Sequence, residues 1–296
     1  MHNRLPPPTI KEAPMAQLAN PSGCLERILE HTNELAVLPH VVHRVLELTS
    51  NEDTISHELE RAIAVDPGFS SRLLVLANSA AFGLPRRITS IREAILFLGF
   101  RTIRSAALTV GVFDIFVGKT DRNSLRRREW WRHSVDTAVC ARYLAKVTDK
   151  VPVEDAYTSG LLHLIGKMLL DKYGGRDYEL VQKLEENGAP CAFAEEEVYG
   201  VNHSQVSSAA AASWNLPQAL QSGLLILQPA PKDDPFGSLR ACTVVASSMA
   251  ARAKNGCQKE DACPPWALER LGLSNLSMSD LGAQARRVIA EAEMKF

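Results

Sequence analysis

None of the six cysteines stands in a C-x-x-C spacing, so the chain carries neither a zinc-ribbon pattern nor a dithiol redox motif. Cys140 and Cys242 fall within apolar helical patterns, where a reduced thiol behaves as a small hydrophobe. That favours a reducing, cytoplasmic setting. Nor does any window reach the ~18 uninterrupted apolar residues that a spanning helix needs, because Arg, Lys, Asp or Glu interrupts each candidate. No membrane contact is expected. Charge of one sign is also missing: 33 basic against 34 acidic side chains leave a net charge of -1, and no global field draws the chain to nucleic acid. G-x-S-x-G is absent and no cysteine has a neighbouring histidine, so covalent catalysis has no support. Alternating apolar and polar runs bounded by turn signals are missing too, which makes the class all-α.

What remains is a chain with 46% hydrophobic residues, enough to fill a substantial core without staples. The first residues, MHNRLPPPTIKEAPMAQLANPSG, hold five prolines and no continuous apolar segment. Residues 1–20 therefore read as a mobile leader, neither signal peptide nor anchor. Pro39 opens a helix carrying Val41, Val42, Val45, Leu46 and Leu48, since a first turn does not miss its amide hydrogen. Thr54 is placed to cap the next helix, which should stop at Asp66 because Pro67 disfavours helical geometry before it. Ser90 and Glu93 form S-x-x-E ahead of Ala94, Ile95 and Leu98, and Gly99 supplies a stop. A central apolar helix follows from Arg101 to Phe116. The polar break GKTDRNS, Gly118 to Ser124, divides an N-terminal helical subdomain (21–121) from a second helical subdomain (122–296). The second half reads as one helix from Ser124 to Val147 and another from Val153 to about Tyr173. Shorter ones follow near Tyr178–Glu186, Ser204–Trp214 and Gln218–Leu227, then Leu239–Lys254, a short one near Trp266, and Ser279–Met294.

The run DPGFSSRLLVLANSAAFGLPRRITSIREAILFLGFRTIRSAAL, Asp66 to Leu108, resembles the N-terminal signature of the HD-related output domain (HDOD) family of bacterial signalling proteins. Its marks are D-P, then A-N-S-A with an aromatic two residues on, then S-I-x-x-A-I-x-x-L-G. The resemblance implies a helical bundle followed by a helical unit related to HD metal-dependent phosphohydrolases. Such a hydrolase needs histidines and carboxylates converging from several helices, because the metal must activate a water while an anion offsets its charge.

On that pattern His133 in WWRHSVDTA matches the first histidine and His163 in GLLHLIGK the second, but the paired aspartate is Leu164. His203 in GVNHSQV fits a further histidine. After SWNLP, where the wider family often has paired histidines, Leu227 and Gln228 stand. The last expected carboxylate aligns with Ser247. Asp136 and the run Glu195, Glu196 and Glu197 are the carboxylates near enough in sequence to intrude. The pattern thus reads as a relic, with no catalytic residue, metal or cofactor assigned.

Outside it, His40 and His43 share a helix face without an evident third ligand. In RRREWWRH, the arginines Arg126, Arg127 and Arg128 beside Trp130 form a patch suited to an acidic partner or an anion. The expected function is a non-catalytic signalling output or scaffold that acts through a signalling protein partner, with a small-molecule ligand as the other class of occupant. The alternative is a metal-dependent phosphohydrolase acting on a nucleotide or cyclic dinucleotide through His133, His163 and His203.

Overall fold

The computed structural model describes residues 21–33, 38–117, 123–255 and 263–292, and every regular element among them is helical. The leader 1–20 and most of the polar break lie outside the described residues. The first half contains α1 (Pro21–Asn33), α2 (His40–Ser50), α3 (Ser56–Ala64), α4 (Pro67–Ala77) and α5 (Ile91–Val117). The second contains α6 (Ser124–Thr148), α7 (Val153–Leu162), α8 (Ile165–Tyr173), α9 (Glu179–Glu186) and α10 (Cys191–Tyr199). It continues with α11 (His203–Ser213), α12 (Gln218–Gly223), α13 (Gly237–Asn255), α14 (Pro265–Leu271) and α15 (Met278–Ala292).

Helix α5 is the spine. It packs on α2, α3 and α4 along one side and on α6 and α7 along the other. Ile103, Ala106, Ala107, Leu108, Val112 and Phe116 are wholly buried, and each large one contributes about 1.5–3 kcal/mol by leaving water. By length and composition α5 is apolar enough to cross a membrane, but 56% of that window is buried inside the protein. Gly99 ends the first stretch of α5, as the sequence suggests. It kinks the chain at φ 75, ψ 167, a conformation that suits glycine, and the helix resumes at once.

Local chemistry explains most of the other boundaries. Asp66 caps α4, accepting the Phe69 amide at 2.9 Å, with Pro67 in the first turn. The cap of α3 is Ile55 rather than Thr54, because the Glu58 carboxylate reaches back to the Ile55 amide at 3.3 Å. Asn78 serves the fold: its amide donates to the carbonyls of Leu74 (2.8 Å) and Ile88 (2.9 Å), and its oxygen accepts the Ile88 amide at 2.8 Å. That clamp closes the turn through Leu84 and Pro85. Arg142 ties the halves together, donating to the Ala81 carbonyl at 2.8 Å and to Glu154 at 3.0 Å while lying 4.0 Å from the Tyr157 ring centre. Helices α1 and α10 were not anticipated. Short and preceded by proline, α10 spreads its apolar residues around the axis and announces no single face.

The second half is centred on α6, α7 and α13. Gly160 allows the close approach of α7 to α6, since a Cβ there would sit 2.8 Å from Ala138 Cα. The helix expected from Val153 to Tyr173 is broken at His163–Leu164, where Leu164 takes φ -101, ψ 6. The break is stabilised from across the core: Ser207 Oγ donates to the His163 carbonyl at 3.1 Å and accepts the Gly166 amide at 2.9 Å. Two backbone groups freed from the helix are thereby satisfied. Gly166 also lets α8 touch α11, because a Cβ at that position would lie 2.0 Å from the His203 carbonyl oxygen. Gly166→Ala is therefore expected to cost about 3 kcal/mol or more, read as a lower denaturant midpoint, and an unchanged midpoint would refute this packing.

Candidate functional site: a histidine pocket with an internal ammonium

Four helices and one turn bring the polar residues together. His133 comes from the middle of α6, His163 from the break after α7, Lys167 from α8, His203 from the first turn of α11 and Ser247 from α13. His163 is completely buried and His133 partly so, and their rings meet edge to face with centroids 5.3 Å apart. His163 Nδ1 lies 2.6 Å from the Gly160 carbonyl, which fixes Nδ1–H as a donor and leaves Nε2 bare in the neutral ring. Ser247 Oγ then donates to His163 Nε2 at 3.4 Å and accepts from His133 Nε2 at 3.1 Å. The hydroxyl thus closes two neutral imidazoles into one chain.

Both rings are held neutral. Burial, helped by the charges of Lys167 and Lys254, pushes the His133 imidazole down to about 4. Burial followed by the neighbouring His133 drives His163 well below its ordinary value. Leu164, where the resemblance expects an aspartate, is buried. Among the described residues no carboxylate hydrogen-bonds to either ring. Asp136, one turn beyond His133, makes no such bond, and burial raises its carboxyl to about 6.

A second cluster adjoins this chain. Glu195 of α10 is fully buried, and its Oε2 accepts both the backbone amide and Nδ1–H of His203 at 2.7 Å. Its Oε1 accepts from the Tyr178 hydroxyl at 2.5 Å and the Cys191 thiol at 3.6 Å. Burial alone would raise this carboxyl, but His203 and Lys167 outweigh it and hold Glu195 at about 2. Lys167 donates to Cys191 Sγ at 3.0 Å and lies 5.9 Å from the Trp130 ring centre. Burial opposes its charge, yet Cys191 and Glu195 prevail and its ammonium is held above the ordinary range. Cys191 stays a thiol, pushed up to about 12 mainly by burial.

The expected residues therefore divide. His133, His163 and Ser247 meet; His203 joins through Glu195, the one member of the acidic run that turns fully inward. Leu227 is 41% exposed, and its amide lies 3.5 Å from Ser204 Oγ, next to His203. Arg126 and Arg127 are turned inward, donating to Asp171 at 2.6 and 3.2 Å, and Arg126 covers Trp130 and Tyr178. Only Arg128 of the three is exposed. His40 lines a groove of about 860 Å³ between α2 and α3, whereas His43 lines a separate cavity of about 440 Å³ beside Trp214. Sequence reasoning missed Lys167, Cys191 and Tyr178. The signal available was the i, i+4 spacing of Cys191 and Glu195, legible only once α10 is recognised as a helix.

Fold and pocket define an all-helical protein whose second half converges histidines from several helices on one buried polar centre. The HDOD domain matches residues 35–226, and the chain belongs to the HDOD family. An uncharacterized protein of Treponema pallidum (strain Nichols) is 24% identical over 268 residues, covering 90% of this chain. The chain spans about half of that relative's length, 52%. An HDOD domain protein with unknown function from Geobacter sulfurreducens superposes with TM-score 0.69 at 23% identity, over 92% of this chain and 96% of that one. A structure named "Putative phosphohydrolase" from Shewanella amazonensis SB2B superposes with TM-score 0.68 at 24% identity, over 90% and 95% of the two chains. At these identities the likeness establishes the shared fold.

The depressed His133 sets a pH response. Between its ordinary 6.5 and its folded value of about 4 the unfolded chain binds more protons than the folded one, so stability falls as pH drops through that window. His133→Gln should remove up to about 3 kcal/mol of this loss, measured by urea unfolding at pH 7 and pH 4.5. An identical pH slope in variant and wild type would contradict the buried neutral ring.

Proposed function

We propose that the chain is a non-catalytic signal-transduction output or scaffold protein that works in the cytoplasm by binding a signalling protein or a ligand. The observation that carries the reading is the closure of His133 and His163 on the hydroxyl of Ser247, with Leu164 beside them. A hydrolytic centre of two cations needs an anionic bridge to offset their charge in a buried site and to fix the attacking water. Ser247 offers a neutral hydroxyl in its place, and the ammonium of Lys167 adds a positive charge that both rings sense. The donor set around His133 and His163 does not fit that centre. Membership of a family with a structural relative from Marinobacter aquaeolei VT8 named for signal transduction (TM-score 0.67, 19% identity) is consistent with this role.

One observation favours the second reading, a metal-dependent phosphohydrolase acting on a nucleotide or cyclic dinucleotide. A carboxylate does enter the neighbourhood: Glu195 sits 2.7 Å from His203. It is, however, already engaged by two N–H groups, a hydroxyl and a thiol. The two readings separate in one experiment on the full chain purified without chelator. Elemental analysis together with a phosphodiesterase panel in added manganese should give substoichiometric metal and no turnover. Stoichiometric metal with turnover that His163→Ala abolishes would establish the enzyme and overturn the scaffold.

A further inference from the structure

Cys191, Glu195 and His203 carry three different kinds of metal donor, a thiol, a carboxylate and an imidazole, and their ligand atoms all lie within 4.8 Å of one another. The local fold builds this set. Cys191 and Glu195 are one turn apart on α10, and α10 ends at Gly200, whose φ of 77 turns the chain back. Asn202 then caps α11, accepting the Gln205 amide at 3.1 Å, which places His203 in the first turn against Glu195. The separations suit a small cation. With bonds of about 2.0–2.3 Å, tetrahedral zinc holds its ligands about 3.3–3.7 Å apart. The Cys191 Sγ to Glu195 Oε1 distance is 3.6 Å, and the 2.7 Å between His203 Nδ1 and Glu195 Oε2 is short because a proton bridges them. Exchanging that proton for a metal opens the pair by about 1 Å or less.

The position facing these donors already holds a charge. Lys167 Nζ is 3.0 Å from Cys191 Sγ. A divalent ion bonded to that sulfur would lie within a few ångströms of the ammonium. Repulsion at such a distance amounts to a factor of roughly a thousand or more in binding, even at an effective interior dielectric constant of about 20.

We propose that Cys191, Glu195 and His203 form a latent site for a thiophilic divalent cation of the zinc class, and that the tethered ammonium of Lys167 holds the cation's place in it. The donors suffice; Lys167 keeps metal out. This goes beyond the scaffold reading and does not depend on it, because turnover by the wild type would sink that reading and leave this one standing.

The test is cobalt titration of the full chain, wild type beside Lys167→Met, followed through the near-ultraviolet thiolate-to-cobalt absorption. Lys167→Met should bind one equivalent with that band, Lys167→Met/Cys191→Ser should lose the band, and wild type should need roughly a thousand-fold more cobalt. Lys167→Gln, which keeps an N–H donor to the sulfur, is carried in parallel in case the methionine variant does not fold alone. Folding of either variant only on addition of cobalt, seen by circular dichroism, also supports the site. Wild type binding as tightly as Lys167→Met overturns the proposal. So does a folded variant that binds none, or the failure of both variants to fold with cobalt present.

Discussion

The ammonium of Lys167 is the charge around which the interior of this protein is arranged. Lys167 is half-buried, and a charge drawn inward without partners costs free energy, so its neighbours must answer it. They do so in two ways. On one side Glu195 is fully ionised and Cys191 offers its sulfur, while the face of Trp130 lies within cation–π range. On the other side His133 and His163 stay neutral, chiefly because burial penalises a charged ring and secondarily because Lys167 lies near. The hydroxyl of Ser247 suits two neutral rings, donating to one and accepting from the other. A carboxylate at Leu164 would change that balance, and the apolar side chain leaves the imidazole pair uncharged.

Backbone geometry makes the arrangement possible. Glycines at 160 and 166 bring α7 onto α6 and α8 onto α11 closely enough for side chains of different helices to share hydrogen bonds. The break at His163–Leu164 turns the His163 ring toward α6 and α13 while sending Lys167 toward α10. A continuous helix from Val153 to Tyr173 would hold both residues on one rigid register. Ser207, bonded to both sides of the break, is therefore as much a part of the site as the residues whose charges it separates.

The sequence discloses the all-helical class, the long helices α5 and α6 and the histidines that meet in the core, because these depend on periodicity and on strong local motifs. Ser247, which the sequence aligns with the last expected carboxylate, hydrogen-bonds to both imidazoles. The sequence conceals the break in the Val153–Tyr173 segment, because the cause lies 41 to 44 residues away in Ser207. The arginines Arg126 and Arg127 look like a surface patch in the linear chain, yet both turn to Asp171, whose side chain is 1% exposed. The same blindness hides the Lys167–Cys191–Glu195 cluster: two of its members lie on a short helix whose apolar residues trace no single face. What was legible is what neighbours along the chain dictate, and what was missed is set by pairing across the core.

The polar groups of the pocket answer one another internally, and the proposed function treats the site as a closed electrostatic unit rather than an open cation seat. The most direct measurement is nitrogen-15 NMR of the histidine rings across pH 7 to 4.5, with and without manganese. The account predicts His163 as a neutral Nδ1–H tautomer throughout, its signals unmoved and unbroadened by the ion. An imidazolium at His163 near neutral pH, or site-specific broadening of both His133 and His163 at stoichiometric manganese, would contradict it.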